Sequence, residues 1–210
     1  MINTDFHLHT LWSDGRQSIK ENLDACTVAG LEKAAITDHF TKGSSMRLDH
    51  YITEIEKVSR NYPFKVFKGL ELQLTDDLLL DYFSLEQKNK IDFTLCELPG
   101  SFIFGNFETA KWAEERKDIS VFLKTVMKAC QRIAESPFAD VIAHPFNFGR
   151  MKLSFDYQLK HFSKKSLDDL ADTMCRNHKS KNTDSIRPPG SKLTSFHCPL
   201  FIFSSRLFIP

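Results

Sequence analysis

Short apolar runs alternate with longer amphipathic stretches along most of this chain of 210 residues. Five runs have the length of β-strands: "INTDFHL", "KAAIT", "FKVFKGL", "DFTLC" and "ADVIAH". The segments between them carry apolar residues at helical spacing, most clearly in "DISVFLKTVMKACQRIAES". This alternation predicts an α/β fold with a mainly parallel sheet, and periodicity alone fits a doubly wound sheet as well as a barrel.

The helical segments carry start and stop signals. "SIKENLDACTVAG" begins at the predicted N-cap Ser18, has Glu21 at the capping-box position and stops at Gly30. "RLDHYITEIEKVSRNY" and "DDLLLDYFSLEQKNK" are also predicted to be helical. A last helix is predicted over "SLDDLADTMCRNH", with Ser166 as N-cap and Asp169 as its capping-box partner.

Charge and cysteine content exclude several protein classes. The net charge of +1 provides no overall field for binding nucleic acid or an anionic membrane. The five cysteines form no C-x-x-C pair, so we expect reduced thiols rather than disulfides or a zinc ribbon. There is no apolar leader, and "CPLFIFSSRLFIP" is shorter than the roughly 20 residues of a membrane helix. We therefore expect a cytoplasmic protein without a membrane partner.

Metal-binding residue types recur where the predicted strands end. Four strand ends carry such residues: His7 and His9, Asp38 and His39, Glu71, and His144. Each could separately be a cap, a turn residue or a surface charge, but the C-terminal ends of parallel barrel strands share one face. Residues two apart in a strand point the same way, so His7 and His9 can reach one ion. Imidazole and carboxylate together suit zinc, manganese or iron, so the pattern predicts a divalent metal site.

Four of these segments also resemble a known family. "DFHLHTLWSDG", "AAITDHF", "GLEL" and "DVIAHPFNFGR" are similar, in order and spacing, to successive motifs of the PHP (polymerase and histidinol phosphatase) family of metal-dependent phosphoesterases. The resemblance covers about residues 2–176. It implies a distorted (β/α)7 barrel that holds up to three divalent metals at its C-terminal mouth, and it predicts a PHP domain over residues 1–176.

The resemblance implies a role for each matching position. His7 and His9 would hold the first metal, and Glu71 would bridge the first and second. His144 would bind the second metal.

The remaining motif residues complete the implied site. Asp14 and His39 would bind the third metal, with Ser13 and Gly15 shaping the turn that carries Asp14. Asp38 would orient an imidazole from outside the ligand set. We also consider two cations that could bind a phosphate, Arg150 and, more weakly, Lys42; each could equally be a solvated surface residue.

The implied activity is hydrolysis of a phosphoester by metal-activated water. The leading prediction is an enzyme acting on a small phosphorylated substrate, such as histidinol phosphate. A nuclease or a nucleotide phosphatase is the alternative within the same family. The neutral charge and the lack of a basic, aromatic-rich stripe argue against long nucleic acids.

The chain departs from the family pattern at two places. After the fourth strand, "DFTLCELPG" has Pro99 near the position where the family usually carries a histidine ligand. Glu97 is the better substitute ligand there, ahead of Cys96, because a carboxylate serves these metals. No Asp-x-His motif, which supplies late ligands in the family, occurs after residue 150.

The last part of the chain loses the alternating pattern. Residues 177–210 are Pro, Ser and Lys-rich and then apolar, with neither helical period nor alternation. We expect an irregular tail that is not native barrel sequence, which would leave the barrel incomplete at its C-terminus. The alternative is a divergent tail that packs on the barrel. A truncated chain would also allow a third functional interpretation, an inactive remnant of the family.

Overall fold

The computed structural model describes residues 3–103, 119–145 and 162–182. The strands in these ranges are β1 (Thr4–Leu8), β2 (Lys33–Ile36), β3 (His39–Phe40), β4 (Lys65–Gln73), β5 (Phe93–Glu97) and β6 (Val141–Ile142). The helices are α1 (Ile19–Val28), α2 (Leu48–Ser59), α3 (Leu85–Lys88), α4 (Gly100–Ile103), α5 (Ile119–Glu135) and α6 (Lys164–Asn182).

The strands form a parallel half-barrel. Their order is β1-β2-β4-β5-β6, with β3 paired to β4, and every pairing is parallel. Neighbouring parallel strands need a crossover connection, which α1, α2 and the later helices supply. The predicted α/β class with a mainly parallel sheet is confirmed.

Strand β4 lies at the centre of this sheet and has two different faces. Successive side chains of a strand alternate between the faces. Leu70 and Leu72 are completely buried in the hydrophobic core, which the helices share with the sheet. Glu71, between them, is also completely buried but belongs to the polar cluster at the C-terminal strand ends. One strand therefore supports both the core and the candidate site.

The first helix agrees with its sequence signals. The Ser18 side chain accepts a hydrogen bond from the Glu21 amide, and the Glu21 side chain accepts one from the Ser18 amide. These two bonds form the predicted capping box. Gly30 follows the helix with φ of 67°, a left-handed conformation that glycine adopts without steric cost.

Two helix predictions were wrong in extent. Only Leu85–Lys88 of "DDLLLDYFSLEQKNK" is helical, with Ser84 as the N-cap. The residues before it form turns that direct Leu80 and Phe83 into the core, so burial rather than helical spacing explains their apolar pattern.

The predicted capping box at the start of α6 is also corrected. The helix begins at Lys164, and Ser163 rather than Ser166 caps it, since Ser163 Oγ accepts from the Ser166 amide at 3.0 Å.

Other sequence predictions can be compared with the described residues. Helix α6 continues to Asn182, past the predicted domain boundary at residue 176. Residues 183–210 and Arg150 lie outside the described residues. Strand β3 was not predicted. In the part of the chain that the structure describes, Cys26, Cys96, Cys130 and Cys175 form no disulfide. Among the helices described, none has both the length and the apolar character needed to cross a membrane.

Leu70→Ala tests the central position of β4. Leu70 is completely buried, so its truncation is expected to lower the free energy of unfolding by about 2–5 kcal/mol. Leu85→Ala is the matched control, because the Leu85 side chain is 58% exposed and its truncation is expected to change stability by under about 1 kcal/mol. Urea denaturation followed by circular dichroism measures both. Equal effects of the two substitutions would contradict the described core.

Candidate metal centre

The carboxylate of Glu71 is the centre of a cluster of imidazoles. It is completely buried on β4. Its Oε2 lies 3.0 Å from His7 Nε2 and 2.9 Å from His9 Nε2. His39 Nδ1 is 3.5 Å from the same oxygen. Oε1 lies 2.9 Å from His144 Nε2. One carboxylate is thus surrounded by four imidazoles, three near Oε2 and one near Oε1.

Parallel strand pairing explains how residues so distant in sequence meet. His7 lies in β1 and His9 directly follows it, whereas His144 lies two residues after the end of β6. His39, in β3, is the register partner of Glu71 in β4. All these positions are at the C-terminal ends of parallel strands, which lie together on one face of the sheet.

The backbone at His144 is strained. Its φ is 27°, in the left-handed region that non-glycine residues seldom occupy. Such conformations cost on the order of 1–3 kcal/mol and persist where the surrounding structure fixes them, often at functional sites. The His144 ring stacks on the His7 ring with centroids 5.5 Å apart. The strained backbone thus coincides with the placement of an imidazole against Glu71.

A tight turn after His9 carries Asp14 back to the cluster. The amide of Gly15 donates to the carbonyl of Thr10, and a Cβ on Gly15 would lie 2.4 Å from the His9 backbone, so only glycine fits. Asp14 Oδ1 is 2.7 Å from His9 Nδ1, and Oδ2 is 3.7 Å from His39 Nε2. The prediction that Gly15 shapes this turn agrees with the structure.

Asp38 stabilises the same turn through hydrogen bonds to its carboxylate. Its completely buried carboxylate accepts hydrogen bonds from the amide and hydroxyl of Thr10 and from the hydroxyl of Ser13. The Asp38 amide donates to Tyr51 Oη, which donates to the Gly69 carbonyl. The resemblance implied that Asp38 orients an imidazole. In the structure, the hydrogen bonds that its carboxylate accepts hold the loop that carries Asp14.

Glu97 is a second buried carboxylate at the edge of the cluster. Its side chain lies at the end of β5 and is 1% exposed. Oε1 accepts a hydrogen bond from Gln73 Nε2 at 2.7 Å and lies 3.4 Å from His39 Nδ1. Oε2 lies 3.7 Å from His144 Nε2. The sequence did not single out Gln73, although its position two residues after Glu71 places it on the same face of β4.

The two buried carboxylates have pKa values shifted in opposite directions. Burial alone would raise the pKa of Glu71, but hydrogen bonds from His144, His7 and His9 hold it well below its usual range. For Glu97, burial and the negative charge of Glu71 together raise the pKa well above its usual range. Glu71 is therefore the charged member of the pair.

The histidines also differ in their pKa values. Burial lowers the pKa of His9, but hydrogen bonds and charge from Glu71 and Asp14 outweigh burial and raise it from 6.5 to about 9. Burial dominates at His39 and lowers its pKa. In the absence of metal, His9 therefore holds its proton to a higher pH than His39 does.

The donor set fits divalent metal ions. Two groups of donor atoms each lie within 4.8 Å of one another: His7, Glu71 and His144, and His9, His39 and Glu71. Tetrahedral zinc with bonds of about 2.0–2.1 Å separates its ligand atoms by about 3.3 Å, close to the distances around Glu71. Within the described residues, buried His39 Nδ1 and His144 Nδ1 have no hydrogen-bond partner. Glu71 belongs to both groups, as a bridging carboxylate would.

The fold brings together every sequence-predicted metal ligand. These are His7, His9, Asp14, His39, Glu71, Glu97 and His144. His39 lies with His9 and Glu71 in one donor group as well as near Asp14, so it is shared more widely than the sequence implied. Asn22, which sequence reasoning missed, fixes the His9 backbone by donating to its carbonyl at 2.7 Å.

Comparison with known proteins agrees with this geometry. The family model for the PHP domain matches residues 5–176. The DNA polymerase/3'-5' exonuclease PolX of Bacillus subtilis (strain 168) is 28% identical over 151 residues, which cover 69% of this chain. The match spans only 23% of that larger protein.

Two solved structures share the fold. A candidate histidinol phosphatase from Listeria monocytogenes has a TM-score of 0.56 and 14% identity, covering 85% of this chain and 79% of that one. The histidinol phosphate phosphatase of Lactococcus lactis, complexed with zinc, L-histidinol and phosphate, has a TM-score of 0.51 and 15% identity. That match covers 85% of this chain and 70% of the other. At such identities the likeness concerns the fold.

The titration of His9 tests the contacts around Glu71 in the metal-free chain. Because the folded pKa of about 9 exceeds the ordinary 6.5, the stabilising contribution of His9 is complete below pH 6.5 and is lost as pH rises through about 9. Asp14→Asn removes one of the two carboxylates and is expected to lower the His9 pKa. Nuclear magnetic resonance of the imidazole nitrogens measures both midpoints. A midpoint near 6.5 in the unsubstituted chain would contradict the described contacts.

Proposed function

Because this chain belongs to the PHP domain family, matched over residues 5–176, we propose that it is a metal-dependent phosphoesterase that hydrolyses a small phosphomonoester. The observation that carries the proposal is the buried Glu71 carboxylate, shared by two groups of imidazole donors. A carboxylate in that position suits two cations held close together, an arrangement common in phosphoester hydrolysis. The cytoplasmic location expected from the sequence belongs to the same proposal.

The proposed ligands divide between two neighbouring metals. His7 and His144 bind one metal with Glu71, and His9 and His39 bind the other with the same carboxylate. Zinc, manganese and iron all suit these donors. Bound divalent metals lower the pKa of water and neutralise the negative charge of a phosphate ester.

Asp14 prepares His9 for metal binding. An ionised carboxylate only accepts hydrogen bonds, so His9 Nδ1 is the donor in its 2.7 Å contact with Asp14 Oδ1. The lone pair needed for a metal is then available at Nε2 once that atom loses its proton, and Nε2 already faces Glu71. The Asp14 side chain is 66% exposed, so it also lies where a third metal or the substrate could approach.

A histidinol-phosphate-like substrate is the leading proposal. The supporting observation is a shared fold with a protein whose structure contains L-histidinol and phosphate. Arg150 and Lys42 remain proposed phosphate-binding residues. Lys42 is exposed and lies 3.3 Å from Asp81 on the described surface, so a phosphate would compete with a weak surface ion pair.

Phosphodiester cleavage is the second candidate. The sequence match to PolX supports this candidate, because PolX is named as a 3'-5' exonuclease as well as a DNA polymerase. The net charge of +1 weighs against long nucleic acids, so a mononucleotide ester fits this alternative better than a polymer. The third interpretation, an inactive remnant, follows from the absence of a late Asp-x-His motif.

His9→Ala tests the metal assignment. Loss of an imidazole bound to a metal is expected to lower metal affinity by about 10-fold or more and to reduce turnover of p-nitrophenyl phosphate with it. Elemental analysis of the purified chain, followed by an assay with added manganese, measures both. His50→Ala is the matched control, because His50 is exposed on α2. An unchanged metal content in His9→Ala would show that the ligands are wrongly assigned.

Substrate choice separates the three functional candidates. A phosphomonoesterase is expected to cleave p-nitrophenyl phosphate and histidinol phosphate in preference to bis-p-nitrophenyl phosphate. Preference for the diester, or for a nucleotide p-nitrophenyl ester, would favour the nuclease alternative. Metal-loaded chain that cleaves none of these substrates would support the inactive remnant.

A further inference from the structure

Glu97 is a buried carboxylate that belongs to neither of the two donor groups around Glu71. It is 1% exposed and shares its surroundings with Glu71, which is completely buried. Burying a carboxylate is costly unless it is paired or binds a cation. Two ionised carboxylates side by side would repel each other, so the pair needs either a proton on one of them or a cation between or beside them.

The neighbours of Glu97 approach it without bonding to it. Its one hydrogen bond from a described side chain comes from the neutral amide of Gln73, at 2.7 Å. His39 Nδ1 lies 3.4 Å from Oε1 and has no hydrogen-bond partner among the described residues. His144 Nε2 lies 3.7 Å from Oε2. These distances resemble those between two ligands of one metal ion better than those of ion pairs.

His39 Nδ1 stands between the two carboxylates. It is 3.5 Å from Glu71 Oε2 and 3.4 Å from Glu97 Oε1, so it is nearly equidistant from both. This nitrogen is buried and has no hydrogen-bond partner among the described residues. An imidazole nitrogen that faces two carboxylate oxygens without bonding to either is placed as a ligand of a cation between them would be.

The sheet fixes Glu97 in this position. Gln73 and Glu97 are register partners on β4 and β5, as His39 and Glu71 are on β3 and β4. The amide of Gln73 therefore meets the carboxylate directly across neighbouring strands. Among the described residues, the charged side chains within 4 Å of the Glu71 and Glu97 carboxylates are all histidines. No described lysine or arginine forms an ion pair with either carboxylate.

We propose that Glu97 is itself a metal ligand, which joins His39 at the ion that His9, His39 and Glu71 would hold, and that Gln73 positions it. The proposal rests on the metal-dependent function proposed above. It adds an oxygen donor to a site otherwise rich in imidazole, and oxygen donors favour manganese relative to purely nitrogen sites. Gln73 acts through Glu97, holding Oε1 by its amide so that the carboxylate is preorganised for the ion.

Glu97→Gln tests the proposal in the full-length chain after metal removal with a chelator. The substitution keeps the size of the side chain and its capacity to bond Gln73, but it removes the anionic oxygen donor. Titration with Mn²⁺, followed by calorimetry, is expected to show one bound ion lost or weakened about 10-fold or more, with any other site retained. Glu86→Gln is the matched control, since the Glu86 side chain is 85% exposed on α3.

Stability of the metal-free chain separates a ligand from a structural residue. A purely structural Glu97 would change the melting temperature of the metal-free chain and leave Mn²⁺ affinity unaltered. That result, or identical Mn²⁺ stoichiometry and affinity in Glu97→Gln and the unsubstituted chain, would overturn the proposal. If Glu97→Gln does not fold by circular dichroism, Glu97→Ser replaces it with the same expected and overturning results. An unsubstituted chain that binds neither Mn²⁺ nor Zn²⁺ would instead overturn the proposed function, and this inference with it.

Discussion

The buried charge of Glu71 is the constraint on which the rest of this structure depends. A carboxylate with no exposed surface, at the centre of a sheet, requires partners on both of its oxygens. Imidazoles at the ends of β1 and β6 provide them, and the hydrogen bonds of His7, His9 and His144 keep the pKa of Glu71 low although burial opposes this. The same atoms that satisfy this charge are of the types that bind divalent metal ions.

The fold places these donors by backbone pairing and not by side-chain packing alone. His39 and Gln73 reach their partners because parallel register sets them opposite Glu71 and Glu97. The turn after His9 is different, since it depends on the missing side chain of Gly15 and on hydrogen bonds to Asp38. Rigid strands thus hold the centre of the cluster, and a hydrogen-bonded loop holds its exposed edge.

Much of the site could be predicted because the chemistry of its residues is unusual for strand ends. His7 and His9 differ by two positions, so any strand places them on one side. The helix over "DDLLLDYFSLEQKNK" was predicted too long, because apolar residues in buried turns imitate helical spacing. The contacts of Asp38 were also missed, since its hydrogen bonds to Thr10 and Ser13 depend on a loop conformation that no sequence pattern specifies.

The sequence by itself determined the α/β class, the family and the residues able to bind metal. Those conclusions follow from periodicity, from motif spacing and from donor chemistry, all of which are local properties. Only the tertiary structure decided which donors lie close enough to share an ion. Glu71 meets His144 across 73 positions of sequence, and Glu97 enters the cluster because of the register between β4 and β5. Such distances in space depend on strand order and burial, which arise when the whole sheet assembles.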